Sequence, residues 1–196
     1  MFSAEWAFAL VEARQTVLPK RLVEPGPSAA QLQQILRAAA SAPDHGELLP
    51  WRFVIVGRSA RGRLADAFAA SLAQRDPAAT PGQLAQAQEK AHRAPLLMLA
   101  VARLAPSAQD DIPDHERLLS AGCALQNMLL MATALGFGSA LTSGKAMQSV
   151  GLRALFSLGE RERALCFISI GTANSRKQCR QRPPPDDYVS VLGDEP

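Results

Sequence analysis

Ala94-Pro95-Leu96-Leu97-Met98-Leu99-Ala100-Val101-Ala102-Arg103 is a continuous apolar run, closed by an arginine. Successive side chains of a strand point to opposite faces, so an unbroken apolar run reads as a strand buried on both sides. Such a strand needs helices above and below it, and the flanking sequence supplies them. Residues 114–135 form the longest helical pattern, with Leu118, Leu119, Leu125, Met128, Leu129 and Ala132 in register. That helix is apolar around most of its circumference, which places it in the core. Cys123, on the same helix, reads as a small buried apolar residue. Gly136-Phe137-Gly138 ends the helix, the glycines being read as positive-φ positions.

Other elements follow outward from this centre. Residues 3–12 read as a helix with Trp6, Leu10 and Val11 turned inward. Ser28 and Gln31 form a capping box that starts a helix running to about Ser41, and Pro43 stops it. Residues 51–56 read as a strand and 59–74 as a helix. Residues 83–93 read as a polar, alanine-rich surface helix, and the connector and helix together, Asp76 to Arg93, are expected to border a cleft. Short strands are expected at 139–142 and 164–170, with a helix at 146–156 between them. Four strands against six helices, without strict βαβ alternation, predict an α+β fold: one small sheet between helical layers. No G-x-G-x-x-G follows a strand, which argues against a Rossmann fold.

The chain has 196 residues, 47% of them hydrophobic and 20% charged, suiting a single domain with a real core. Residues 173–196 read as a Pro-rich, basic C-terminal extension. No apolar stretch is long enough to span a bilayer. Glu5 and Glu12 interrupt the apolar start, so it does not read as a signal peptide. Three cysteines without metal spacing suit a reducing cytoplasm. The net charge of +3 is concentrated at Arg14, Lys20 and Arg21 and at Arg176, Lys177, Arg180 and Arg182. Aromatics do not interleave with these basic groups, which argues against a nucleic-acid surface.

Three segments can carry chemistry. Arg14-Gln15-Thr16 combines a planar guanidinium with an amide and a hydroxyl where helix gives way to irregular chain. This suits a phosphate or a heterocycle carbonyl, although a solvated arginine is the competing reading. Asp44 and His45 sit on a loop between a helix stop and a strand. The loop reads either as a ligand-facing site or as a turn closed by side-chain hydrogen bonds. In the stretch from Gly136 to Lys145, Thr142, Ser143 and Lys145 can donate to a phosphate, though the spacing is not that of a P-loop. Asp110, Asp111, Asp114 and His115 read as a solvated loop and helix cap rather than a metal site. No nucleophile elbow is present.

Taken in order, these segments resemble the nitroreductase family, in particular its short bacterial branch. The resemblance rests on Arg14-Gln15-Thr16, Ala42-Pro43-Asp44-His45, Pro50-Trp51-Arg52-Phe53, Ser120-Ala121-Gly122-Cys123-Ala124, Gly136-Phe137-Gly138, Ser143-Gly144 and Gly171-Thr172. It implies a small, mostly antiparallel sheet sandwiched by helices, in a homodimer with FMN at the subunit interface. It also implies that Arg14, Gln15, Thr16, Leu141, Thr142 and Ser143 hold FMN from one chain, while Ser41 and His45 reach it from the other. The implied reaction is hydride transfer from NADH or NADPH through flavin N5 to a nitro compound, a quinone or a similar acceptor. The flavin supplies the redox chemistry, so no catalytic side chain or metal is required.

Two departures from the branch stand out. Gln15 and Thr142 occupy places where the branch commonly has arginine. Their loss predicts weaker FMN binding or a reshaped phosphate site, with Lys20, Arg21, Lys145 or the Arg176–Arg182 stretch taking over. The same losses keep two alternatives open: a non-enzymatic or degenerate FMN-binding dimer, and a flavin-modifying relative on the same fold.

Overall fold

The computed structural model describes residues 3–106, 111–175 and 181–193. Asp110, Arg176, Lys177, Cys179 and Arg180 lie outside the described residues. The helices are α1 (Ala4–Ala13), α2 (Ala29–Ala39), α3 (Arg61–Arg75), α4 (Pro81–Glu89), α5 (Asp114–Ala134) and α6 (Val150–Leu155). The strands are β1 (Leu22–Val23), β2 (Trp51–Ile55), β3 (Leu96–Arg103), β4 (Gly138–Thr142) and β5 (Glu162–Ala173). The fold is the expected α+β arrangement, a small antiparallel sheet with helices. Its order is β1-β5-β3-β2, and β4 also pairs with β5.

β3 is buried on both faces. Met98 and Ala100 point into a layer built with Ile35 and Ala39 of α2 and Ala124, Leu125 and Met128 of α5. Leu97, Leu99 and Val101 point the other way, against Leu64 and Ala65 of α3 and Leu152 of α6. β5 does the same, sending Cys166, Ile168 and Ile170 to the first layer and Phe167 to the second. A bulge opposite Ala100 and Val101 skips Leu165, and this moves Ala164 into the second layer despite its parity with Cys166. Burial pushes the Cys166 thiol up to about 11, leaving it an inert packing group.

Side-chain networks tie the layers together. The indole N–H of Trp51 donates to Ser120 Oγ at 3.2 Å, joining β2 to α5. Arg61 is 6% exposed and donates to the carbonyls of Val56, Ala91, Ala94 and Pro95, fastening α3 under the start of β3. Arg52 grips Glu162 with two parallel bonds of 2.6 and 2.8 Å between β2 and β5.

Several expectations are corrected. β1 is a fifth strand, only two residues long, and it exists because Leu22 and Val23 find partners in Ala173 and Thr172. α1 buries none of its side chains, and Trp6 and Val11, expected inward, are 55% and 51% exposed. Leu119 and Cys123 of α5 are also exposed, so one face of the long helix is uncovered by its own chain. α4 starts at Pro81, two residues earlier than expected, because Thr80 and Gln83 form a capping box. It docks through Ala87, while Ala91 just beyond it is fully buried. Gly136 has the expected positive φ of 86°. Gly138 serves differently: a Cβ there would stand 2.9–3.1 Å from Leu22, Val17 and Ala173.

Arg52 holds the Glu162 carboxyl at about 2, below its ordinary 4.5. A depressed folded-state value means that the stabilisation is complete above about pH 4.5 and is lost as pH falls toward 2. Glu162→Gln is expected to cost about 1–2 kcal/mol at pH 7. Urea denaturation should show that gap shrinking by more than half near pH ~3.

Candidate functional site

The segment after α1 runs beside β4. Thr16 bridges Ser139 in parallel, and the Val17 amide donates to the Ser139 carbonyl at 2.9 Å. The missing side chain at Gly138 lets Val17 and Leu22 approach this closely. Arg14-Gln15-Thr16 and Leu141-Thr142-Ser143, far apart in sequence, are thereby placed along the same edge. Arg14 is half-buried, yet its guanidinium pairs with no group among the described residues. The hydroxyls of Thr16, Thr142 and Ser143 likewise have no hydrogen-bond partner among the described residues, whereas Gln15 is engaged.

The Thr142–Ser143 end of this edge opens into a cavity of about 390 Å³; Arg14, Gln15, Thr16 and Leu141 lie along the edge but do not line the cavity. Leu18 and Pro19 meet Thr142, Ser143 and Lys145 on one wall, and Leu97, Phe167 and Ser169 of the sheet form the floor. The opposite wall comes from α3 and from the stretch around α4, with Phe68, Leu72, Arg75, Lys90 and Arg93. The stretch from Asp76 to Arg93 was expected to border the cleft; of it, Ala87, Lys90 and Arg93 line this cavity. Their charge contribution could not be read from sequence. Arg75, Lys90 and Arg93 converge only after α4 folds back on α3, and nothing in their spacing announces it. Arg93 bonds Glu89 and, with Lys20 and Lys90 nearby, holds that carboxyl below its usual range. The Nε of Arg93 is buried without a partner. Of the cations expected to compensate for Gln15 and Thr142, Lys145 lines the cavity. Lys20 and Arg21 lie in the helical turn that follows Leu18.

Ser41 and His45 are placed elsewhere. Both are exposed, and neither lines this cavity. His45 Nδ1 lies 2.7 Å from Glu116 Oε2, in the first turn of α5. Thr16 sits by Ser139, just beyond the other end of that helix. With 21 residues, α5 is about 30 Å long. One chain therefore holds Arg14–Thr16 and His45 at opposite ends of its longest helix. The His45 loop is nonetheless closely specified. Asp44 accepts from the Leu49 amide at 2.7 Å, and Glu47 and Leu49 both adopt positive φ. Non-glycine residues in that region cost about 1–3 kcal/mol each and cluster at functional sites. Asp114, read as part of a solvated cap, accepts from the Ala105 amide at 2.6 Å.

Comparison with known proteins agrees with this architecture. The model of the nitroreductase family matches residues 13–172. A Haemophilus influenzae protein named "Putative NAD(P)H nitroreductase" is 35% identical over 163 residues, covering 82% of this chain and 87% of its own. The Escherichia coli K12 protein "Putative NAD(P)H nitroreductase YdjA" is 37% identical over 154 residues, covering 78% and 81%. Among solved structures, a nitroreductase-like family protein from Bacillus cereus superposes with a TM-score of 0.83 at 18% identity, over 98% of both chains. The FMN and NADPH-dependent nitroreductase NfnB from sphigopyxis sp. strain HMH gives 0.74 at 20% identity, over 98% of this chain and 100% of that one. The chain belongs to the nitroreductase family, a family of oxidoreductases.

Glu116 determines which nitrogen of neutral His45 carries the proton. Its carboxylate oxygen can only accept, so the 2.7 Å contact selects the Nδ1–H form. Nitrogen-15 chemical shifts of the ring should report Nδ1–H in the wild type and a shift of population to Nε2–H in Glu116→Ala.

Proposed function

We propose that the protein is an FMN-dependent oxidoreductase that takes hydride from NADH or NADPH and delivers it to a nitro compound, a quinone or a similar acceptor. The observation that carries this reading is the shared edge of Arg14–Thr16 and Leu141–Ser143 beside an apolar-floored, cation-rimmed cavity. The donor set fits the cofactor. A cavity of about 390 Å³ is in the range of small-molecule sites. Its sheet floor suits a flat ring, while unpaired hydroxyls and an unpaired guanidinium suit a phosphate and ring carbonyls.

In this reading Arg14, Gln15 and Thr16, with Leu141, Thr142 and Ser143, hold FMN from one subunit. Ser41 and His45 of the partner subunit complete the site. Lys145 supplies positive charge from the cavity wall, in partial replacement of the arginines absent at Gln15 and Thr142. Bound FMN would supply the hydride chemistry, accepting from the nicotinamide and donating to the acceptor. The homodimer is supported by the apolar surface one chain leaves uncovered: Trp6, Phe8 and Val11 on α1 and Leu119 on α5. No helix among the described residues is long and apolar enough to cross a membrane. Three cysteines without metal spacing and a nicotinamide-driven reaction support a cytoplasmic location.

The purified protein is expected to be yellow and to bleach on anaerobic addition of NADH or NADPH. Bound FMN that neither nucleotide reduces would instead establish the non-enzymatic alternative. Fluorescence titration should show FMN binding weakened at least tenfold, about 1.4 kcal/mol or more, in Arg14→Ala. Binding should be strengthened in Thr142→Arg, which restores a cation at an exposed position.

A further inference from the structure

In the flavoenzyme reading above, one wall of the cavity is given no part in holding the cofactor. It is the wall formed by the end of α3 and the stretch around α4. Arg75 donates its Nε to the Ser71 carbonyl at 2.9 Å, which orients the guanidinium and leaves its terminal nitrogens unpaired among the described residues. The Lys90 ammonium makes no hydrogen bond among the described residues. Arg93 gives one terminal nitrogen to Glu89, while its Nε is buried and unpartnered. Lys145 faces the same space from the other side. Among the described residues no aspartate or glutamate lines this cavity, and Glu89 is the carboxylate paired with its wall, through Arg93.

Between these cations the surface is apolar. Phe68 and Phe167 meet edge to face, with ring centroids 5.4 Å apart, and Leu72, Leu97 and Met147 surround them. Glu89 neutralises part of the charge on Arg93 and Lys90, and the four lining cations still leave a net positive field that concentrates anions. The cofactor accounts for Arg14 and Lys145 and leaves Arg75, Lys90 and Arg93 unassigned.

We propose that this wall selects the acceptor. The preferred substrate is a flat aromatic carrying a carboxylate or sulfonate, its ring on the Phe68 side and its anion held by Arg75, Lys90 and Arg93. This assignment rests on the flavoenzyme reading above.

The test uses the FMN-loaded protein with a matched pair, 4-nitrobenzoate and nitrobenzene. At low salt kcat/KM is expected to favour the anion at least tenfold. The preference should fall steeply at 0.5 M NaCl, on the order of a 4 Å screening length. It should also drop at least tenfold in the double variant Arg75→Gln/Lys90→Gln. Arg63→Gln, an exposed α3 substitution that removes one charge away from the cavity, should leave the preference unchanged. Independently of turnover, calorimetry should show benzoate binding to the holoprotein and loss of that binding in the double variant.

Equal or reversed preference, or no benzoate binding by a protein whose flavin NADPH bleaches, overturns the assignment and leaves the flavoenzyme reading intact. A double variant that loses FMN affinity tenfold shows that these cations serve the cofactor and also overturns it. So does a rise in KM for NADPH but not NADH with the acceptor ratio unchanged, which would mean that the wall reads the nucleotide's phosphate. A protein that binds benzoate through Arg75 and Lys90 but no FMN would refute the flavoenzyme reading while retaining the anion site.

Discussion

Along β3 and β5, side chains alternate between two apolar layers, and neither layer can face water. Each fully buried Leu, Ile or Met at these positions contributes roughly 1.5–3 kcal/mol. The pair is therefore stable only with helices on both sides: α2 and α5 over one face, α3 and α6 over the other. This double burial positions the site. The sheet becomes the floor of the cavity, α3 and α4 one wall, and the turn after β4 the other. The chemistry-bearing groups gather where the covered sheet leaves its edge open.

α5 follows from the same constraint and adds a second one. It must run the length of the sheet to cover it, so its two ends lie far apart. Arg14–Thr16 lies beyond one end and the His45–Glu116 pair at the other. In the proposed dimer, this separation is the reason one chain cannot complete the site. The uncovered apolar faces of α1 and α5 and the strained, hydrogen-bonded loop at Asp44–Leu49 are then parts of one design, in which each chain presents what its partner lacks.

Much of this was legible in the sequence. The run at 94–103 announced a doubly covered strand, and the Ser28–Gln31 capping box marked the start of α2. What failed has physical causes. β1 is two residues long and exists only through its pairing with β5, so no local pattern could reveal it. Apolar periodicity shows that a helix face avoids water without saying what covers it. For that reason Trp6, Val11, Leu119 and Cys123 were placed inside a chain that leaves them exposed. Of the site, Arg14–Thr16 and Leu141–Ser143 could be proposed from motifs because each triplet is local. The cationic wall of Arg75, Lys90 and Arg93 could not, since it is assembled from two helices folding together.

In the proposed dimer each active site draws on both chains, and subunit complementation tests this. Arg14→Ala removes one half-site and His45→Ala the other, so each variant alone should be nearly inactive. Co-refolded in equal amounts, half of the dimers are mixed and each mixed dimer holds one intact site. Activity should therefore return to about a quarter of the wild-type value. A mixture that remains as inactive as its components would contradict the account, because both residues would then belong to a site built within a single chain.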